Sequence, residues 1–147
     1  MKAVIMAGGQ GSRLRPLTCD LPKPMVPMAN RPMMEYIIEL LCRYGFRDIA
    51  VTTYYLPESI EEYFGDGGPW GVKLRYFQED RPLGTAGSVK NASAFLGETF
   101  LVISGDCLTD FDLGAALAYH REKQALATIV LTRVPSPLEY GVVFTNP

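Results

Sequence analysis

Lys2-Ala3-Val4-Ile5-Met6-Ala7-Gly8-Gly9-Gln10-Gly11-Ser12-Arg13-Leu14 opens with a short apolar run and breaks into glycine. The run carries two β-branched residues and stops at Ala7-Gly8-Gly9, so it reads as a buried strand feeding a glycine loop. A strand apolar on both faces belongs near the centre of a sheet. Glycines at 8, 9 and 11 let backbone amides approach a phosphate that side chains would block, although the same residues also suit a tight turn without a ligand. No GxxxxGK[ST] is present, and Leu14 stands where the dinucleotide pattern GxGxxG needs its third glycine. Arg13, Arg15 and Lys23 follow. They offer guanidinium and ammonium groups to a polyphosphate, or else form a solvated basic surface.

Outward from this stretch, prolines at 16, 22, 24, 27 and 32 prevent Arg15 to Arg31 from forming one regular element. Pro32 suits the first turn of a helix, in which Met33, Met34, Ile37, Ile38, Leu40 and Leu41 recur at helical spacing until Gly45. Strands are expected at Phe46 to Thr53, Lys73 to Gln78, Thr99 to Ser104, Ala125 to Thr132 and from Tyr140 to Phe144. Helices are expected at Pro57 to Phe64, Gly84 to Gly97 and Leu113 to Lys123, the last capped by Asp112. Apolar strands alternating with helices predict an α/β fold, a mostly parallel sheet with helices on both faces. Ligands of such sheets lie beyond the carboxyl ends of the strands. The Gly8 loop, the segment after Gln78 and Gly105-Asp106 should therefore converge on one cleft.

The 147 residues carry 14 Lys plus Arg against 16 Asp plus Glu, a net charge of −2, so no cationic surplus points to nucleic acid or anionic membranes. With 48% apolar and 20% charged residues the composition is globular, and one compact domain is expected. No apolar run approaches a membrane span and the N-terminus lacks a signal-peptide pattern, which makes the cytoplasm the expected location. Cys19, Cys42 and Cys107 have no CxxC spacing, and His120 cannot complete a zinc shell with them.

Three segments together resemble the signature of the sugar-1-phosphate nucleotidyltransferases: Gly8-Gly9-Gln10-Gly11-Ser12-Arg13-Leu14-Arg15-Pro16-Leu17-Thr18, Leu21-Pro22-Lys23-Pro24-Met25-Val26-Pro27, and Asn30-Arg31-Pro32-Met33. The likeness continues through Pro82-Leu83-Gly84-Thr85-Ala86-Gly87, Gly105-Asp106 and Tyr140-Gly141-Val142-Val143, and so covers the chain. It implies a Rossmann-like domain that joins a nucleoside triphosphate to a sugar 1-phosphate and releases pyrophosphate. By that resemblance Gly8, Gly9, Gly11 and Arg13 line the triphosphate, and Lys23 contacts phosphates at the reacting centre. Arg15, at a position that varies in the family, is given no catalytic role and reads as readily as a rim charge.

Asp106 sits at the mouth of an apolar strand, where a carboxylate needs a partner or a cation, and it reads either as a turn aspartate or as a magnesium ligand. The resemblance favours the second reading and makes Mg²⁺ the expected cofactor. It also places Glu79, five positions before Gly84, against the base. A carboxylate only accepts hydrogen bonds, so it suits the two adjacent donors of guanine, whereas a glutamine suits thymine or uracil. A shift of one residue would present Gln78 instead. The wording around Gly84 is most similar to mannose-1-phosphate guanylyltransferases, which points to GTP and mannose 1-phosphate. The alternatives are thymidylyl, uridylyl or adenylyl transfer to glucose 1-phosphate, and a regulatory module that binds without reacting. Cys107 has no nearby His and reads as a packed thiol. The family's catalytic domain continues beyond its Y-G-V-V segment, so the chain is expected to be a truncated piece carrying the nucleotide half of the site. Gly141 is then its candidate for approaching a sugar hydroxyl, and uncovered apolar surface would favour self-association.

Overall fold

In the computed structural model, which describes residues 1–136 and 141–144, the N-terminal apolar run forms β1 (Lys2–Met6). A proline-rich stretch follows, with 3₁₀ turns at Ser12–Leu14 and Lys23–Met25 and a two-residue antiparallel bridge between β2 (Pro27–Met28) and β3 (Arg31–Pro32). Then come α1 (Met33–Arg43), β4 (Asp48–Thr53), α2 (Pro57–Phe64), a 3₁₀ turn at Gly68–Trp70, β5 (Lys73–Gln78), α3 (Gly84–Asn91), β6 (Phe100–Ser104) and α4 (Leu113–Glu122). The chain divides into two compact units, Met1–Phe111 and Asp112–Pro147.

The first unit holds a four-stranded sheet in the order β5-β4-β1-β6, parallel throughout. Because β1 pairs on both edges, Ala3, Val4 and Ile5 are fully buried, as a strand apolar on both faces requires. The connections through α1 and α2 step one way across the sheet, and the connection through α3 returns past β1 to β6. Right-handed crossovers in opposite directions put α1 and α2 on one face and α3 on the other. The expected α/β architecture is therefore the observed one.

Alternation along the strands serves both faces. Val4 and Ala50 pack with Ala92 and Phe95, flanked by Phe77, Val89, Leu96 and Phe100. Ile5, Ile49 and Val51 take the opposite parity, and α1 buries Met34, Ile37, Ile38 and Leu41, one stripe at helical spacing. Each such side chain contributes about 1.5–3 kcal/mol relative to exposure.

Several boundaries differ from expectation. Pro32 precedes α1 rather than opening it. The helix expected to reach Gly97 ends at Asn91, because Ala92, Ser93 and Phe95 bond three residues back instead of four. That tightening accompanies the seating of the Phe95 ring 6.0 Å from Phe77. Cys107 is exposed rather than packed, since the turn after β6 carries it past the end of the sheet.

In the second unit Asp112 caps α4, accepting the Ala115 N–H at 2.9 Å, as its position indicated. The strand expected at 125–132 does not form. A strand exists only by pairing, and among the described residues this segment has no ladder partner; Leu126, Ile129 and Leu131 are exposed. His120 Nδ1 lies 2.8 Å from Thr128 Oγ1, which ties the end of α4 to this segment. Gly141 to Phe144 are irregular, and Tyr140 lies outside the described residues. Among the described residues no helix is long and apolar enough to cross a membrane.

Candidate active site

Strand register brings the expected segments together. Met6 is level with Thr52 on β4 and with Ser104 on β6, while Thr53 is level with Gln78 on β5. The residues that follow, Gly8, Tyr54, Glu79 and Asp106, thus emerge from one edge of the sheet. The winding direction reverses between β1 and β6, and at such a reversal the flanking loops part and leave a crevice. A cleft of about 490 Å³ lies there, within the range of small-ligand sites, lined among others by Gly8, Gly9, Lys23, Glu79, Gly84 and Asp106.

The glycines of the first loop serve different ends. A Cβ on Gly8 would lie 3.3 Å from Tyr54 Cβ, so the loop runs close against the residue after β4. At Gly9 nothing lies within 4 Å, and the backbone faces open space. Gly11 has φ +62° and does not line the cleft. Its carbonyl accepts the Thr18 hydroxyl at 2.8 Å, and a Cβ there would meet Thr18 Cγ2 at 2.9 Å and Lys23 Cβ at 3.1 Å. Gly11 therefore folds the proline-rich stretch back so that Lys23 can reach the cleft. Arg13 sits exposed on the 3₁₀ turn and does not line the cleft.

Lys23 Nζ pairs with Asp106 Oδ2, and the Ser104 hydroxyl donates to Asp106 Oδ1. Burial pushes the Asp106 carboxyl up, but the hydrogen bonds from Lys23 and Ser104 and the attraction of the Lys23 charge pull it further down, leaving it below the usual carboxylate range. The group is thus an anion at neutral pH, about a third exposed and partnered by a cation exposed to a similar extent. Its oxygens are hard donors, and magnesium typically takes one or two carboxylates and completes its shell with water and substrate phosphates. Asp106, the carboxylate beside Lys23 in the cleft, fits that pattern; among the described residues no cluster of three metal-binding side chains exists.

Glu79 is only 5% exposed, so it is not the surface charge that an acidic loop would otherwise present. Its Oε2 accepts the Leu83 N–H at 3.1 Å and its Oε1 accepts the Ser88 hydroxyl. Gln78, the last residue of β5, does not line the cleft. Gly84, with φ +70°, turns the chain from that loop into α3. Tyr54, Ser88 and Ser104 also line the cleft and carry no motif. Their only sequence signal is position, at or just past a strand end or one helical turn into α3. Gly141 lies in the second unit, with open space where a Cβ would stand.

A parallel α/β domain that gathers a glycine loop, a lysine and two carboxylates at its switch point has the architecture in which ligands lie beyond the carboxyl ends of the strands. The chain belongs to the nucleotidyl transferase family, whose model matches residues 2–147. It is 44% identical over 160 residues to a UTP–glucose-1-phosphate uridylyltransferase of Synechocystis, covering 99% of this chain and 41% of that protein. A mannose-1-phosphate guanylyltransferase of Mycobacterium tuberculosis is 39% identical over 145 residues, covering 98% and 40%. The solved structure of HddC from Yersinia pseudotuberculosis, complexed with GMP-PN, superposes with a TM-score of 0.72 at 32% identity, covering 81% of this chain and 53% of that one. The chain thus spans about two-fifths of the length of the curated relatives it matches.

Proposed function

We propose that this chain forms the nucleotide half of a sugar-1-phosphate nucleotidyltransferase site that uses GTP and mannose 1-phosphate and releases pyrophosphate. The observation that carries the reading is the meeting of Gly8, Gly9, Lys23 and Asp106 in one cleft at the β1/β6 reversal. In the reaction, a phosphate oxygen of the sugar 1-phosphate attacks the α-phosphorus in line, the bond to the bridging oxygen breaks, and pyrophosphate leaves. Charge builds on the equatorial and departing oxygens, so positioned donors and cations supply most of the acceleration. Backbone amides of the Gly8-Gly9 segment would hold the triphosphate, with Arg13 at its outer end. Lys23 would neutralise charge near the α-phosphate. Asp106 would hold a magnesium ion, which when bound supplies further electrostatic stabilisation of the phosphate oxygens. Gly141 would approach the sugar.

Guanine is the base we favour, since Glu79 presents only acceptors to the cleft. Uracil is the second reading, supported by the 44% identity to the uridylyltransferase. The test is pyrophosphate release and sugar-nucleotide formation from GTP, UTP, dTTP and ATP with mannose 1-phosphate or glucose 1-phosphate. It is run on this chain and on a polypeptide extended to the length of the relatives. GDP-mannose is the expected product. Product from UTP alone would overturn the base reading, and nucleotide binding without any product in the extended polypeptide would favour a regulatory module.

A further inference from the structure

We propose that Ser88 is a positioning residue for base selection: its hydroxyl fixes the Glu79 carboxylate facing the cleft. The inference rests on the reading of Glu79 as the residue that meets the base. A serine inside a helix usually turns its hydroxyl to water or to a carbonyl of its own preceding turn. Ser88, buried on α3, instead donates across to Glu79 Oε1, nine residues back and beyond the end of β5. From the other side the Leu83 N–H reaches Oε2 at 3.1 Å. Both Glu79 and Ser88 line the cleft.

Such a carboxylate has about four lone-pair directions, and the two internal donors take one on each oxygen. One direction per oxygen is left, the arrangement that meets two adjacent donors on a ligand edge. With only Leu83 holding it, the carboxylate can rotate about its last bond and lose that alignment. A buried oxygen deprived of its donor also has a standing incentive to move. An edge made of one donor flanked by acceptors, as in uracil, uses only one of the two directions and sets a carbonyl oxygen against the other. Ser88 should therefore govern discrimination between bases more than affinity for the triphosphate.

The experiment measures dissociation constants for GTP and UTP, by calorimetric titration in Mg²⁺, on the intact chain and on Ser88→Ala, Ser88→Thr and Glu79→Gln. Ser88→Ala is expected to lower the GTP-over-UTP preference about tenfold, the effect of one hydrogen bond to a charged group. Ser88→Thr, which keeps the hydroxyl, should restore it. A role in helix packing alone would weaken both nucleotides equally and leave the ratio unchanged, and that result would overturn the proposal. Glu79→Gln separates the two claims. If it shifts the ratio toward UTP while Ser88→Ala does not, the Ser88 inference fails and the Glu79 reading stands; if it leaves the ratio unchanged, the Glu79 reading itself fails. Binding of neither nucleotide by the unmodified chain counts against both.

Discussion

Gly11 and Gly9 sit two residues apart, yet substitution should affect them oppositely. At Gly11 a methyl group meets Thr18 and Lys23 in a backbone with φ +62°, so Gly11→Ala should cost about 1–3 kcal/mol in urea unfolding and displace Lys23 from the cleft. Gly9→Ala meets open space and should stay within about 0.5 kcal/mol of the parent. Asp106→Asn removes the partner of Lys23, freeing that ammonium for phosphate. Titration with GTP is therefore expected to show that the variant loses the Mg²⁺-dependent gain in affinity but binds metal-free nucleotide at least as well as the parent. A variant with an intact magnesium response would remove Asp106 from the metal role. Residues of this kind were legible because motif and strand end coincide: the glycines, Lys23 and Asp106 stand in recognisable spacing. Ser88, Ser104 and Tyr54 were not, since a serine in a helix or at a strand end has no pattern until the fold supplies its partner.

Among the elements, α1 carries both the apolar stripe and two carboxylates, Glu35 and Glu39, that pair with Arg31 of β3. Ile38 is fully buried, and Ile38→Ala should cost about 2–5 kcal/mol in chemical denaturation. Glu35, on the same helix, accepts from Arg31 Nε at 2.8 Å and from the Tyr63 hydroxyl at 2.9 Å, which links β3, α1 and α2. Burial pushes its carboxyl up, but hydrogen bonds from Arg31 and Tyr63 pull it below the usual 4.5. The unfolded chain therefore takes up the proton first. The stability that this cluster contributes is complete well above pH 4.5 and is lost as pH falls through the lowered folded value. Thermal melts should show a steep acid limb that Glu35→Gln flattens, with the variant less stable than the parent at neutral pH. The stripe of α1 was visible at its spacing, and so were the β1, β4 and β5 runs. The early end of α3 was not, because i to i−3 bonding there accompanies the packing of Phe95 on the sheet rather than any breaker in the sequence. The apolar segment at 125–132 has the composition of a buried strand, and that composition does not say whether a partner strand lies beside it; among the described residues none does.

Within the first unit, sheet order and strand register bring residues 8, 23, 79 and 106 to one cleft, although they are scattered through most of its length. Alternating strands and helices announce the parallel sheet, and the rule that ligands lie beyond its carboxyl edge points to the end of the sheet where the cleft is found. The strand order itself came only from the structure. That cleft is proposed as a nucleoside triphosphate site with a preference for guanine. Thermal unfolding of the chain in Mg²⁺ with GTP, UTP, dTTP, CTP or ATP tests it directly, because a ligand bound only by the folded state must raise its stability. At a hundredfold excess over Kd the gain is about 2.7 kcal/mol, or a midpoint shift of roughly 5–10 °C for a chain of this size. The predicted result is a shift of that order with GTP and a smaller one with the other four; no shift with any nucleotide, or a larger one with UTP, would contradict the account.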